Sequence, residues 1–186
     1  MNVEALKPML FNPVLLCLVL VLYISSICAL LCCGFDKKVP ANYILLCVFT
    51  VCVSWIVGVA CVNVKDQMLV FEAAALTAGV VIGITAYAAT TKSDFTIFGP
   101  ILFILGFVFG IASIFCIFAG PTMNLAFASI GVILFSFYLL VDTQMIIGGQ
   151  NRRYKIDEDS YILASVALYL DIINIFLYIL KILNGR

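Results

Sequence analysis

Histidine is absent from this chain. Without it, no side chain titrates near neutral pH at its ordinary pKa, so any pH response must come from a group shifted by its surroundings. Charge is also scarce. Only 11% of the 186 residues are charged, where soluble domains carry about 25%. Ten basic and ten acidic residues cancel, and no basic excess points to nucleic acid as a partner. Disulfide and zinc patterns are missing too. The eight cysteines, Cys17, Cys28, Cys32, Cys33, Cys47, Cys52, Cys61 and Cys116, all lie in or at the end of apolar runs. Such cysteines read as small packing residues in lipid.

What the chain has in quantity is hydrocarbon. Hydrophobic residues make up 65%, and mean hydropathy is +1.23. This is the composition of an integral membrane protein. A spanning helix needs about 20 apolar residues, and six segments qualify: Val14–Cys33, Tyr43–Val62, Met68–Ala89, Ile97–Ala119, Asn124–Ile147 and Tyr161–Leu183. The expected fold is all-α, one polytopic transmembrane bundle over residues 1–186. The first run is too long for a signal core and lacks a small-residue cleavage pattern, so it reads as a permanent span.

Turn chemistry marks the joints. Gly120-Pro121 breaks an uncharged run in two, and Gly148-Gly149 ends the fifth span. The cluster from Asp157 to Ser160 is placed to cap the sixth. Lys37, Lys38, Lys92, Arg152, Arg153 and Lys155 fall on one side, against Lys7, Lys65, Lys181 and Arg186 on the other. The positive-inside rule then puts the first group in the cytosol.

Small residues recur every fourth position at Ala75, Gly79 and Gly83, continuing to Ala86, and again at Gly106 and Gly110. This spacing lets helix backbones approach closely in lipid. General tight packing is preferred here to a dedicated dimer face. Glu72 shares the Ala75–Gly79 face and is expected to point into the bundle.

Two carboxylates sit in the oiliest surroundings. Asp171 is almost at the midplane of its span, where insertion scales charge an aspartate about 2.5–3.5 kcal/mol. A residue carrying that cost is a functional candidate by default. Asn174 and Lys181 follow on one stripe with it, and Ala164 and Ala167 precede it. Asp142 lies nearer the basic end of the preceding span. Facing carboxyls in low dielectric cannot both ionise cheaply; they share a proton and titrate as a unit. That would be a pH sensor without histidine. The same oxygens are hard ligands of the kind Ca²⁺ takes. Counting from span centres leaves the two groups staggered by roughly 7–10 Å at 1.5 Å per residue. Contact therefore requires the last helix to be shifted, or a bridging water. Blander roles remain open: headgroup contacts for Asp142 and Glu72, and a structural hydrogen bond for Asp171.

The run VDTQMIIGG followed by DSYILASVALYLDIINIFLYIL resembles the last two helices of the transmembrane Bax inhibitor motif family, also called Lifeguard. TTKSDFT is similar to its T-K-x-D-F-T loop, and VPANYILLCVFT and MLVFEAAALTAG to its middle helices. Family members have seven helices, so the six spans here correspond to the second through seventh. Ser160 stands where the pattern has glutamate. The resemblance implies a bundle with its last helix central and an aspartate pair at Asp142 and Asp171. It further implies a pH-sensitive Ca²⁺ leak from internal stores such as the endoplasmic reticulum or Golgi, and suppression of cell death. The partners expected are the bilayer, Ca²⁺ as permeant or bound ion, and apoptosis-regulating membrane proteins. Asp142 and Asp171 would sense the proton and contact Ca²⁺, with Glu72 and Asn174 as auxiliaries. Two other readings compete. One is a non-conducting protein that modulates cell-death partners. The other, an intramembrane aspartyl protease, is disfavoured because neither aspartate sits in a Gly-x-Gly-Asp motif and no Pro-Ala-Leu occurs. No enzymatic activity and no resident cofactor are expected.

Overall fold

The computed structural model describes residues 3–32, 34–116, 118, 120–148, 152–156 and 158–185. Cys33, Ala119, Gly149, Asp157 and Arg186, on which expectations were placed, lie outside the described residues. Every element longer than a single turn is an α-helix: α1 (Val3–Leu10), α2 (Pro13–Cys32), α3 (Ala41–Val62), α4 (Met68–Thr90), α5 (Gly99–Cys116), α6 (Pro121–Ile147) and α7 (Tyr161–Asn184). Six of these, α2 to α7, are long and apolar enough to cross a membrane. They match the six predicted spans to within a few residues at each end. The chain divides into two units, Met1–Gln67 with Glu158–Val166 and Met68–Asp157 with Ala167–Arg186.

In the first unit, Asn12 caps α2. Its side-chain oxygen accepts the Val14 N–H at 3.0 Å, and Pro13 follows at the first helical position, where its missing N–H costs nothing. Helices α2 and α3 pack together, with Tyr23 stacked on Phe49 at 5.7 Å between centroids. Gly34, at φ 63°, turns the chain between them, a left-handed conformation that glycine adopts without steric cost. Beyond it, Asp36 is buried and accepts the Ser160 hydroxyl at 3.3 Å. A glutamate at position 160, as in the family pattern, would place a second carboxylate against Asp36; serine offers a donor instead. Asn42, also buried, donates to the Asp36 carbonyl at 3.1 Å and to the Tyr161 hydroxyl at 3.3 Å.

In the second unit, α6 packs against α4 and α5. Gly120 in extended conformation and Pro121 in the first turn start α6, and Gly148, at φ 65°, stops it by donating to the Gln144 carbonyl at 3.0 Å. The last turns of α6 are its most buried part: Leu139, Leu140, Val141, Thr143 and Gln144 are all inside. Helix α7 exposes only Tyr161, Ser165 and Lys181 along its length. The other residues of α7 are half-buried or buried, Asp171 and Ile175 among the latter.

Helix α4 corrects one expectation. It buries Ala73, Thr77 and Ala88, while Glu72, Ala75, Gly79, Gly83 and Ala86 are exposed. The helix offers two faces of small residues, and the one without the carboxylate is inside. Glu72 thereby keeps its charge out of the protein interior, where it would need a partner. Among the small-residue positions of α5, Gly106 is tightly packed and Gly110 has nothing within 4 Å.

Candidate functional site

Helix α6 carries Asp142 and α7 carries Asp171, and their carboxyls come within hydrogen-bonding reach of each other. The stagger counted from span centres is removed because α7 is seated along α6 by contacts rather than by centring. Two anchors are visible. Tyr178 of α7 enters a notch at Gly131 of α6, where an added Cβ would stand 2.8 Å from the ring. Lys181 donates to the Asn124 side chain at 3.2 Å near the start of α6. Around the notch, Phe109, Phe127, Phe135 and Tyr178 form one aromatic cluster with centroids 4.0 to 6.4 Å apart.

Asp171 is 4% exposed, and one of its oxygens, Oδ2, is buried with no hydrogen-bond partner. Buried polar atoms are nearly always satisfied, so an orphan of this kind calls for an explanation. Asn174 does not supply one. Its amide donates to the Leu170 carbonyl one turn back, at 2.8 Å, and is used within its own helix. Glu72 is exposed and brings no charge to the pair. The described residues hold no group of three or more His, Cys, Asp or Glu that could hold a metal. Two carboxylates offer four oxygens at most, short of the six to eight Ca²⁺ takes.

Tyr138 stands one turn before Asp142, close enough to both carboxyls to feel their charge. Its hydroxyl donates to the Leu102 carbonyl of α5 at 2.5 Å. That reach depends on Gly106, since an added Cβ would collide with the hydroxyl.

Two residues beyond Asp142, Gln144 turns away from the pair toward the segment before α5. It accepts the Phe95 N–H at 2.8 Å and donates to the Ser93 carbonyl at 3.1 Å. In that segment Asp94 accepts the Thr96 hydroxyl at 2.6 Å, the Thr96 N–H at 3.0 Å and the Arg153 N–H at 2.9 Å. The Thr96 hydroxyl foremost, with these N–H groups and the Arg152 charge, holds the Asp94 pKa below its ordinary value.

A family model described as inhibitor of apoptosis-promoting Bax1 matches residues 1–186. The chain belongs to the Bax inhibitor family. Among relatives, a BI1-like protein of Arabidopsis thaliana is 42% identical over 155 residues, covering 81% of this chain and 58% of its own. LIFEGUARD 1 of Arabidopsis thaliana is 37% identical, covering 82% of this chain and 64% of its own. Lifeguard 4 of Mus musculus is 36% identical, covering 78% and 59%. The chain thus spans about three-fifths of the length of these curated relatives. It is a multi-pass membrane protein of the Bax inhibitor and Lifeguard group.

Sequence reasoning picked out both aspartates of this Bax inhibitor chain and missed four of the residues around them. Gly131 was a lone glycine outside any small-residue repeat. Tyr138 looked like one more aromatic in an apolar run. Gln144 belonged to the quoted D-T-Q run and drew no attention of its own, and Arg152 was counted only for orientation.

Proposed function

We propose that this chain is a pH-gated cation leak of an internal membrane, with Ca²⁺ among its permeant ions, and that it restrains cell death by setting the filling of an ion store. The observation that carries the reading is the contact between Asp142 and Asp171 with one Asp171 oxygen unsatisfied. Two carboxyls at that range hold one proton between them most tightly, because a hydrogen bond from a neutral acid to a carboxylate is charge-assisted. Adding a second proton removes that assistance. Removing the last one leaves two like charges in low dielectric. Either change weakens the tie between α6 and α7. The leak should therefore be least where the pair holds one proton and rise on both sides of that pH. Membership of the Bax inhibitor family supports the link to cell death.

The test is Ca²⁺ flux from proteoliposomes across pH 5–9, comparing wild type with Asp171→Asn. The wild type should show a minimum in flux, and the variant a flattened profile. Superimposable profiles would end the mechanism. The family description, an inhibitor of apoptosis-promoting Bax1, favours a second reading in which the chain acts on protein partners without conducting. Cell protection retained by an Asp142→Asn/Asp171→Asn variant that has lost flux would select that reading.

A further inference from the structure

The end of the second unit nearest Asp142 is fastened by polar contacts that the proton-sharing pair does not use. Gln144 is fully buried, and both ends of its amide are taken by the backbone of Ser93 and Phe95. Arg152 closes on the same segment. Its guanidinium donates to the carbonyls of Ala88 at 3.3 Å and Thr91 at 2.9 Å, and to the Ser93 carbonyl that Gln144 also uses. These carbonyls lie at and just past the end of α4, where a helix leaves acceptors unpaired and its dipole is negative. The strap from Arg152 to Ile156 is held at three more points. Arg153 N–H bonds Asp94 at 2.9 Å, Tyr154 N–H the Thr96 hydroxyl at 3.2 Å, and Ile156 N–H the Met145 carbonyl at 3.1 Å.

A continuous run of bonds therefore links the end of α4, through Arg152, Ser93 and Gln144, to the turn of α6 that carries Asp142. A helix pinned by a buried amide cannot rotate or slide without leaving that amide unpaired in the interior. We propose that Gln144 and Arg152 form a clasp that fixes the rotation and axial position of the Asp142 turn against α7, with Arg152 as the half that releases. The two halves differ in what release exposes. Breaking the Gln144 contacts strands buried donors and acceptors. Arg152 is only half-buried, so water can take over its carbonyls. Both are positioning residues for the aspartate pair, and the consequence for flux rests on the leak proposed above.

The experiment uses the full chain in nanodiscs and compares wild type, Arg152→Gln and Arg152→Lys by amide hydrogen exchange. Two stretches are read: residues 93–96 in the clasped segment and 139–144 in the buried turns of α6. In Arg152→Gln, exchange should rise in both by about fivefold or more, the scale of coupling between linked sites. Arg152→Lys, which keeps a cation on the same carbonyls, should recover most of the protection. A rise confined to 93–96, with 139–144 unchanged, would make Arg152 a plain helix cap and overturn the proposal. Should Arg152→Gln fail to fold, Asp94→Asn loosens the same strap from the segment between α4 and α5 and is read in the same two stretches. Ca²⁺ flux from proteoliposomes separates the two readings. A wild type that does not leak, but whose α6 exchange follows Arg152, removes the conduction reading and leaves the clasp standing. A leaking wild type whose Arg152→Gln variant exchanges faster in α6 yet leaks no more overturns the clasp as a control on the pair.

Discussion

Asp94 and Asp171 belong to the same compact unit and live under opposite conditions. Asp94 sits in a connecting segment, where a hydroxyl and two N–H groups donate to it and an arginine stands near. Asp171 lies inside a helix of the bundle, against another acid, with one oxygen that no group donates to. The first is comfortable as an anion at any physiological pH, and its work is to tie backbone segments together. The second has no such donors at Oδ2. Burial alone does not separate a structural acid from a responsive one. The supply of donors does, because each donor stabilises the charged form and each missing donor leaves the choice to the proton.

The largest effect that sharpens this contrast comes from removing the pair outright. Leucine carries two methyls where aspartate carries two oxygens, so Asp142→Leu/Asp171→Leu keeps the branching and deletes both acids. Replacing both partners of a buried polar contact by apolar groups of similar shape is close to neutral or stabilising. The double variant should therefore keep or raise its thermal midpoint in detergent while its flux loses all pH dependence. The single variant Asp171→Leu should be the less stable of the two, since it strands Asp142. A double variant that melts well below the wild type would show that the pair is structural and would break the comparison.

A middle-sized effect tests how the pair is brought together. Gly131 admits the Tyr178 ring, and the ring has little room to retreat, being in contact with Phe109, Phe127 and Phe135. Gly131→Ala should cost about 1–3 kcal/mol, the range for overpacking a full interior, and should change the pH profile of flux by spreading α6 from α7. Gly79→Ala is the control. Nothing stands within 4 Å of Gly79, so the change should stabilise by up to about 1 kcal/mol through helix propensity alone. Urea or thermal unfolding of the two variants in one detergent reads both. Equal losses at the two positions would mean that the notch does not set the helix spacing.

These residues also mark what could be read from the sequence. The spans were legible because lipid imposes length and apolarity directly, and the breaks at Gly120-Pro121 and Gly148 because backbone geometry restricts residue choice there. The two aspartates were legible as an expense that needed a reason. Their contact was not, because the seating of α7 on α6 depends on a ring entering a notch more than one turn away. Glu72 was misplaced by a sound rule applied to the wrong face. Small residues at fourth positions identify a face that can pack closely, but α4 has a second such face at Ala73 and Thr77, and the carboxylate decided between them. The clasp was invisible for a different reason. Gln144 and Arg152 bond mostly to main-chain carbonyls far along the chain, and a carbonyl has no letter in the sequence.

The smallest effect is the most direct attack on the contrast. The Asp94 pKa lies below its ordinary value of 3.8, so on acidification the unfolded chain takes up this proton before the folded one does. Its stabilising contribution is then complete above about pH 4 and is lost as pH falls through the lowered value. Asp94→Asn should melt slightly below the wild type by the same margin at pH 7, 6 and 5, and the gap should close as the pH is taken below 4. The pH of least flux should not move over pH 5–9, although the level of flux rises as the strap loosens, because Asp94 does not change charge in that window. A gap in melting temperature that varies between pH 5 and 7, accompanied by a displaced flux minimum, would move the sensor from the helix pair to the loop. The well-donated carboxylate would then be the responsive one, and the argument from donor supply would be inverted.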